Sequence, residues 1–364
     1  MGSLLEPGSH RAAGVVDDDA LVAAMMRVER AWLRVRGLPD DLGTTSIGET
    51  EAAGNPVLPL LKSLDSPEIH RGLTSQDVLD TAFMLLARDA RTRIVADLER
   101  TAESLATLAS EHRDSVMAGR TLTQYAVPVT FGLKAAQWLI GVLDARDALR
   151  SLTLPVQCGG AAGTLALATE LLPDPLATVR TLADELELAA PELSWHTRRT
   201  PITRLGDALV ETCDALGHLA NDVLFLGRPE IAELRDTSAG ASSTMPHKRN
   251  PVLSILVRSA ALQAPQLAAQ LHLCAAEAQD ERSPGAWHAE WPALRRLLEL
   301  TLTAASQAAD LVAGLEVNAD TMRRRAEAAA TELMSERGSA GDPGSYLGAA
   351  EALVDAALAR WEKR

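Results

Sequence analysis

Hydrophobic positions recur at steps of three and four residues over unusually long stretches of this chain. The longest stretch starts at Ser75 and continues to about Asp114 without a glycine or a proline. This spacing predicts a single helix of about forty residues, which at about 1.5 Å per residue would be about 60 Å long. Helices of this length are typical of elongated bundles and unusual in ordinary compact domains.

Four further stretches have the same helical periodicity. They run from Pro128 to about Arg150, from Ile202 to Leu226, from Val252 to about Glu281 and from Trp291 to about Val317. Strand-like alternation never extends beyond a few residues, and segments such as 119–127, 155–163 and 229–246 are predicted as loops between the helices. The pattern therefore predicts an all-α fold with an elongated central bundle of five long helices.

The two ends of the chain differ from this central part. Residues 1–74 carry one helical pattern that starts at Asp17–Asp19, followed by a region interrupted by glycines and prolines, and are predicted as a small N-terminal helical domain. Residues 75–317 are predicted as the central bundle of long helices. Residues 318–364 are predicted as a short C-terminal helical region.

The composition narrows the classes of partner. The chain has 364 residues, 47% of them hydrophobic, which is enough for a large core. A net charge of −14 argues against nucleic acid and anionic membranes as partners, and charges interrupt every apolar stretch before it reaches the length of a membrane span. Met1–Arg11 has no apolar signal core, and the three cysteines match no metal or redox spacing. We therefore expect a cytoplasmic protein without a metal site.

Many of the predicted helix faces are rich in alanine and leucine. One bundle of this size would not bury all of them, so packing against further copies of the chain is expected. The alternative is that alanine-rich faces remain in contact with solvent.

The densest group of polar side chains lies in residues 240–251. This segment combines the adjacent hydroxyls of Ser242 and Ser243 with the cation of Lys248 and the carboxamide of Asn250. Hydroxyls beside fixed cations suit an anionic substrate that loses a proton to an activated serine. The alternative, a basic and solvated helix N-terminus, gives no role to the serine pair or to the asparagine.

Residues 241–250 resemble the signature Gly-Ser-Ser-x-Met-Pro-x-Lys-x-Asn of the fumarase/aspartase superfamily, with Ala241 in place of the glycine. Residues 70–77 and 119–128 resemble the first and second signature regions, in the same order along the chain. Within the superfamily the chain looks most like the 3-carboxy-cis,cis-muconate cycloisomerases, and the segments that carry this likeness are residues 128–134, 157–164, 195–199 and 285–291.

The resemblance implies a homotetramer whose active sites are each built from three subunits, acting on a small polycarboxylate without a cofactor. It also implies a reaction in which a proton is removed alpha to a carboxylate, and a group then leaves the beta carbon of the aci-carboxylate carbanion. By resemblance, Ser242 transfers the proton, and Lys248 and Asn250 hold the aci-carboxylate oxygens.

Two further segments are expected to contact the substrate. By resemblance, Thr74 and Ser75 bind a substrate carboxylate, although Ser75 is also a candidate N-cap for the long helix. Thr121 and Gln124 are expected to hydrogen-bond to the substrate. The alternative for this second pair is an ordinary polar loop.

A tricarboxylate substrate would need additional cations. His196 and Arg199 are the candidates for a further carboxylate, and the alternative is a basic cluster on the surface. Ser243, Met245 and His247 of the signature segment complete the residues expected to contact the substrate.

The chain departs from many superfamily lyases at two positions. Where fumarase and adenylosuccinate lyase have a paired histidine and glutamate, this sequence has Leu122 and Ile255. Loss of hydroxide or an amine benefits from a general acid, whereas loss of a carboxylate, with a conjugate-acid pKa of about 4, does not. We therefore expect a cycloisomerase of the protocatechuate pathway. A lyase that expels another weak base such as nitrite is the alternative, an adenylosuccinate lyase is disfavoured, and intact Ser242, Lys248 and Asn250 argue against an inactive paralogue.

Overall fold

The computed structural model describes residues 4–43, 47–64, 66–238, 240–241, 245 and 248–363. Its α-helices are Asp18–Val35 (α1), Val57–Leu64 (α2), Ser75–Glu111 (α3), Phe131–Ser151 (α4), Ala166–Leu171 (α5), Pro175–Leu186 (α6), Thr200–Leu226 (α7), Val252–Ala276 (α8), Ala286–Ala313 (α9), Ala319–Ala328 (α10), Ala330–Leu333 (α11) and Ala350–Glu362 (α12). The predicted all-α class is confirmed.

The long helices follow the predicted periodicity closely. Helix α3 has 37 residues, close to the forty expected, and α7 has 27 residues. Helix α8 ends at Ala276, before the predicted Glu281. Helix α9 starts at Ala286 rather than at Trp291, so that Pro292 lies inside the helix.

The strands are short. They are Val116–Thr121 (β1), Gln124–Thr130 (β2), Leu234–Asp236 (β3), Gly240–Ala241 (β4), Arg249–Asn250 (β5) and Leu315–Val317 (β6). They form three antiparallel pairs, β1 with β2, β3 with β6 and β4 with β5.

The predicted loop at residues 119–127 is wrong, because these residues belong to the β1–β2 hairpin. Its two turn residues, Leu122 and Thr123, have φ angles of 49° and 72°, as a tight hairpin turn requires. At the bulge in β1, a Cβ on Gly119 would lie 2.3 Å from the carbonyl oxygen of Val127, so only glycine fits there. Because β2 continues to Thr130, the following helix begins three residues later than the predicted Pro128.

The chain divides into two compact units. The first contains Met1–Arg93, Leu149–Leu209 and Ala264–Leu302, and the second contains Ile94–Ala148, Val210–Gln263 and Thr303–Arg364. Each unit has its own fully buried large side chains, Trp32 and Trp195 in the first and Phe131 and Trp138 in the second. The division of the chain into three domains, with boundaries at residues 74 and 317, stays a prediction.

Helix α8 is unusual in its burial. It is apolar enough and long enough to cross a membrane by composition alone, with a mean hydropathy of 1.2, and it is the one such helix among the described residues. Leu262 is 69% exposed and Leu273 is 62% exposed. An isolated chain therefore leaves apolar surface of α8 uncovered.

Candidate active site

The predicted site residues fall into two groups. Thr74, Ser75, His196 and Arg199 belong to the first unit, and Thr121, Gln124, Met245, Lys248 and Asn250 belong to the second. Ser242, Ser243 and His247 lie outside the described residues.

The start of α3 is fixed by a carboxylate within its own first turn. The helix begins at Ser75, so that Thr74 takes the N-cap position expected for Ser75. The backbone N–H of Thr74 donates to Oδ2 of Asp77 at 2.9 Å. This is the return contact of a capping box, which holds the N-cap residue against the helix.

Asp77 also joins two other segments to this helix start. Its Oδ1 atom accepts hydrogen bonds from the N–H of Gly159 (2.9 Å) and from Nε2 of His196 (2.7 Å). Its Oδ2 atom accepts a second backbone N–H, from Gly160 at 2.9 Å. The Asp77 carboxylate is fully buried and therefore replaces lost water contacts with four N–H donors.

The glycines of this turn are required by space and by backbone conformation. A Cβ on Gly159 would lie 2.4 Å from Oγ of Ser194 and 2.9 Å from Cε1 of His196. Gly160 has a φ of +69°, which side chains with a Cβ rarely adopt. The turn can therefore approach Asp77 with both N–H groups only because both residues are glycine.

His196 is buried and not part of a basic surface cluster. Its side chain is 4% exposed, and Nε2 lies 2.7 Å from Asp77. With Nε2–H donating to the carboxylate, Nδ1 carries a lone pair, and this atom is buried without a hydrogen-bond partner among the residues that the structure describes. His196 is thus directed to Asp77 in the described structure.

Arg199 is equally buried and binds two carboxylates. Its guanidinium lies 2.7 Å from Oδ2 of Asp80 and 2.7 Å from Oε2 of Glu290. Further hydrogen bonds run from Nη2 to Asp80, from Nε to Glu290 and from Nη1 to the carbonyl oxygen of Trp195, whose ring the guanidinium also stacks on. All three guanidinium nitrogens are engaged, which leaves little for an additional carboxylate.

The charges of this buried group depend on one another. Burial alone would lower the pKa of the Arg199 guanidinium, but Asp80 and Glu290 more than offset this and raise it. Burial raises the pKa of Glu290, while Arg199 acts in the opposite direction. Asp80 additionally accepts Nε1–H of Trp287 at 3.0 Å. This Arg199 cluster, composed of Asp80, Arg199, Trp287 and Glu290, is a buried network within the core of the first unit.

Arg282 is a site residue that the sequence did not single out. It lies between α8 and α9, and its Nη2 donates to Oγ1 of Thr74 at 2.5 Å and to the carbonyl oxygen of Ala161 at 3.3 Å. Its Nε donates to Oε1 of Gln76 at 3.3 Å, and Nη1 makes no hydrogen bond within the described residues. A half-buried guanidinium with a free N–H₂ group beside Thr74 is suited to bind a carboxylate.

In the second unit, the tip of the β1–β2 hairpin is solvent-exposed. Thr121 and Gln124 are both exposed, and Leu122 is 96% exposed. Directly below the tip, Arg120 donates to the fully buried carboxylate of Glu233 at 3.0 and 3.3 Å. The hairpin is therefore held firmly at its base, while the predicted substrate contacts project into solvent.

The two ends of the signature segment form a short antiparallel pair of strands. Strand β4 pairs with β5, so that Gly240 lies opposite Asn250. The N–H of Lys248 donates to the carbonyl oxygen of Met245 at 2.9 Å. Lys248 and Met245 are exposed and Asn250 is half-buried. Among the described residues of the second unit, no hydrogen bond joins this segment to Thr121 or Gln124.

A cavity of about 940 Å³ lies elsewhere in the first unit, between α1 and the start of α9. Its lining includes Met25, Phe83 and Trp291, and none of the described site residues contributes to it. Within the described chain, no three His, Cys, Asp or Glu side chains come together in the way that a metal site requires.

Comparison with known proteins identifies the family. Residues 43–265 match the model of a family described as lyase. The chain belongs to the lyase family of the fumarase/aspartase superfamily. It is 44% identical to the nitrosuccinate lyase of Streptomyces davaonensis over 360 residues, which cover 88% of this chain and 76% of that protein.

Other members of the family are also similar. The 3-carboxy-cis,cis-muconate cycloisomerase of Bradyrhizobium diazoefficiens is 37% identical over 371 residues, covering 92% of this chain and 81% of that protein. The crystal structure of 3-carboxy-cis,cis-muconate lactonizing enzyme from Pseudomonas putida superposes with a TM-score of 0.84 at 29% identity, covering 96% of each chain. The resemblance found in the sequence is confirmed at the level of superfamily and fold, while the relatives carry more than one activity.

Proposed function

We propose that this lyase expels a weakly basic group from a small dicarboxylate, with nitrosuccinate as the first candidate substrate. A proton leaves the carbon alpha to one carboxylate, and its electron pair forms the new carbon–carbon double bond. The carbon–nitrogen bond on the neighbouring carbon breaks, and its electron pair leaves with nitrite. The products are fumarate, nitrite and a proton, so that atoms and charge balance without a co-reactant.

The engagement of Arg199 is the observation that carries this choice. A tricarboxylate such as 3-carboxymuconate was expected to use Arg199 and His196 for its additional carboxylate. In the structure both nitrogens of His196 are buried, with Nε2 bound to Asp77, and Arg199 binds Asp80 and Glu290. The proposal therefore replaces the expected substrate role of these two residues with a structural role, and a substrate with two carboxylates fits better than one with three.

The residues at the hairpin tip indicate which type of leaving group the enzyme expels. Thr121–Gln124 presents two hydroxyls, a carboxamide and Leu122, and none of these is a general acid near neutral pH. Ile255, the other position where the superfamily acid pair would stand, is apolar and 48% exposed. Nitrite is a weak base and departs without being protonated, whereas hydroxide or an amine would not.

The substrate carboxylates need cations and N–H donors. In this proposal Arg282 and Thr74, with Ser75 at the start of α3, bind the carboxylate that does not react, because a helix N-terminus and a free guanidinium both attract anions. Lys248 and Asn250 stabilise the aci-carboxylate, and Ser242 takes the proton.

The remaining expected contacts complete this assignment. Thr121 and Gln124 donate hydrogen bonds to the substrate from the hairpin tip. Ser243, Met245 and His247 contact it from the signature segment. No metal or other cofactor takes part in the proposed steps.

Assembly into a homotetramer with shared active sites is part of the proposal. The exposed leucines of α8, Leu262 and Leu273, offer apolar surface for packing between copies. Helix α8 also carries two exposed polar side chains, Arg258 and His272, and His272 is paired with Asp207. Such side chains would be costly on a helix that crosses a membrane, so they favour a subunit interface over a membrane span for this helix. Sedimentation should give the mass of four chains, and a monomer at micromolar concentration would contradict the shared site.

A cytoplasmic location is also proposed. All three cysteines, Cys158, Cys213 and Cys274, are buried and none forms a disulfide within the described residues, as is common in a reducing compartment.

Cycloisomerisation of 3-carboxymuconate is the second candidate. Relatives with that activity include proteins 37% and 41% identical to this chain. The chemistry is compatible, because the lactone oxygen leaves as a carboxylate and needs no general acid.

Product detection tests the proposal directly. Purified protein is mixed with nitrosuccinate, and fumarate is followed by ultraviolet absorbance while nitrite is measured by a colour reaction. We expect equimolar fumarate and nitrite. Conversion of 3-carboxymuconate but not of nitrosuccinate would establish the second candidate in its place, and inactivity with both substrates would refute the elimination proposed here.

A further inference from the structure

Helix α3 carries two buried carboxylates one turn apart, and their partners differ in kind. Asp80 binds the side chains of Arg199 and Trp287. Asp77 binds three backbone N–H groups and His196. A carboxylate that binds side chains stabilises a core, whereas one that binds backbone N–H groups fixes where separate segments of main chain lie.

The segments fixed by Asp77 are far apart in sequence. They are the N-cap Thr74, the glycine turn at Gly159 and Gly160, and His196. The hydrogen-bond lengths lie between 2.7 and 2.9 Å, so all four contacts are close to the optimum for a charged acceptor. Loss of the carboxylate would release all three segments at once.

Arg282 depends on two of these segments. Its Nη2 atom donates to Oγ1 of Thr74 and to the carbonyl oxygen of Ala161, the residue that follows Gly160. Asp77 makes no direct hydrogen bond to Arg282. The direction of the free Nη1 group is therefore set by Thr74 and Ala161, which lie in segments that Asp77 holds, and by Oε1 of Gln76 at 3.3 Å.

We propose that Asp77 is a positioning residue which, through Thr74 and the glycine turn, aims Arg282 at a carboxylate of the substrate. The Asp77 cluster consists of Thr74, Asp77, Gly159, Gly160, His196 and Arg282. Asp77 itself does not touch the substrate. The inference deepens the proposed function and rests on it for the identity of the substrate.

His196 has a defined part in this arrangement. It donates Nε2–H to Oδ1 of Asp77, next to the bond from Gly159. Nδ1 is buried and has no hydrogen-bond partner among the described residues, so no other hydrogen bond of the ring competes with this contact. His196 thereby helps to hold the Asp77 carboxylate in the orientation that accepts the backbone N–H groups of Thr74 and of the glycine turn.

The isosteric change Asp77→Asn tests the inference. An amide keeps the shape but turns one acceptor into a donor, which would face backbone N–H groups. We expect KM for the dicarboxylate to rise about tenfold or more, with kcat changed less than about threefold. Glu290→Gln is the matched control, because it neutralises another buried carboxylate in the Arg199 cluster without touching Thr74 or the glycine turn. The control should lower the melting temperature and leave KM unchanged.

A double-mutant cycle with Arg282→Gln separates positioning from general damage. If Asp77 acts through Arg282, the double variant will have the KM of Arg282→Gln alone, because the second change has nothing left to misplace. If instead the two substitutions raised KM by factors that multiply in the double variant, the inference would be overturned. An Asp77→Asn variant that loses stability but keeps the wild-type KM would overturn it as well.

Binding of succinate, measured by calorimetry on the full-length protein, keeps this test independent of turnover. If the wild type converts neither candidate substrate but binds succinate, and Asp77→Asn weakens that binding, the proposed function fails while the inference stands. A wild type that binds no dicarboxylate would overturn the inference. Should Asp77→Asn not fold, Gly160→Ala strains the same turn from the other side, and an unchanged KM or succinate affinity there would equally overturn it.

Discussion

The Asp77 cluster of the first unit and the hairpin tip of the second unit contain polar residues of the same kinds but differ in what surrounds them. In the Asp77 cluster, Thr74 and His196 bind partners within the same chain. At the hairpin tip, Thr121 and Gln124 are exposed. One region is held together by contacts within a single chain, and the other exposes its polar side chains to solvent at the end of a firmly held hairpin.

This difference indicates which parts of the proposed site a single chain defines. The Asp77 cluster should keep its geometry in any assembly state, because its contacts are internal. The hairpin tip and the signature segment should gain their partners only from the substrate or from another copy of the chain. Dissociation of the oligomer should therefore leave the geometry of the Asp77 cluster unchanged and remove the contacts that another copy makes with the hairpin tip and the signature segment.

The largest effect is expected in the signature segment. Ser242→Ala removes the proposed base and should lower kcat by about 10⁴-fold or more, since the remaining groups still bind substrate but cannot take the proton. Steady-state kinetics and succinate binding measure the two properties separately. A variant that keeps more than about a tenth of the wild-type kcat would contradict the role given to Ser242.

A large loss of stability is expected in the Arg199 cluster. Arg199→Met leaves Asp80 and Glu290 buried without their cation and should lower the free energy of unfolding by about 3–5 kcal/mol. Urea denaturation measures this change. The folded fraction should keep the wild-type KM, and a tenfold rise in KM would restore Arg199 as a substrate ligand.

A smaller effect on activity is expected from breaking the oligomer. Leu262→Glu places a charge on exposed α8 and should lower activity about 100-fold by dissociating the chains, with no loss of helix content. Leu353→Glu is the matched control, because Leu353 is 50% exposed on α12. Sedimentation measures assembly, and circular dichroism measures folding. A dissociated but fully active Leu262→Glu variant would refute the claim that the hairpin tip and the signature segment need another copy of the chain.

The smallest effect is expected at the start of α1, outside both regions. Hydrogen bonds from the N–H groups of Ala20 and Gly14 hold the pKa of Asp17 below its ordinary value of 3.8. Asp17→Ala should lower the free energy of unfolding by about 1 kcal/mol at neutral pH. Because the folded-state pKa is the lower one, the wild type loses this advantage as the pH falls below 3.8 through the folded value. Urea titrations at neutral and acid pH should show the two proteins converging, and a constant difference would contradict the capping contact.

The sequence predicted the long helices because their information is local. Helix α3 carries an uninterrupted apolar pattern over its 37 residues, and the structure confirms it. The β1–β2 hairpin was missed because its strands have only six and seven residues and contain glycine and proline. A turn residue such as Leu122, with a φ of 49°, gives no signal in a pattern of apolar spacing.

The chemistry of the site was only partly predictable for a related reason. The signature segment is contiguous, so Lys248 and Asn250 could be singled out from its resemblance to the superfamily signature. Arg199 was assigned to the substrate because its two acidic partners lie 119 and 91 residues away, where no local pattern reveals them. Arg282 was missed because its contact with Thr74 spans 208 residues.

The central claim is that the site eliminates a weak base from a dicarboxylate. The most direct test is the ratio of kcat/KM for nitrosuccinate to kcat/KM for 3-carboxymuconate, measured on one preparation of the assembled protein. With Arg199 bound to Asp80 and Glu290, we predict that nitrosuccinate is preferred by about 100-fold or more, the scale of one lost charged contact. A ratio below one would contradict the account and assign the enzyme to the tricarboxylate.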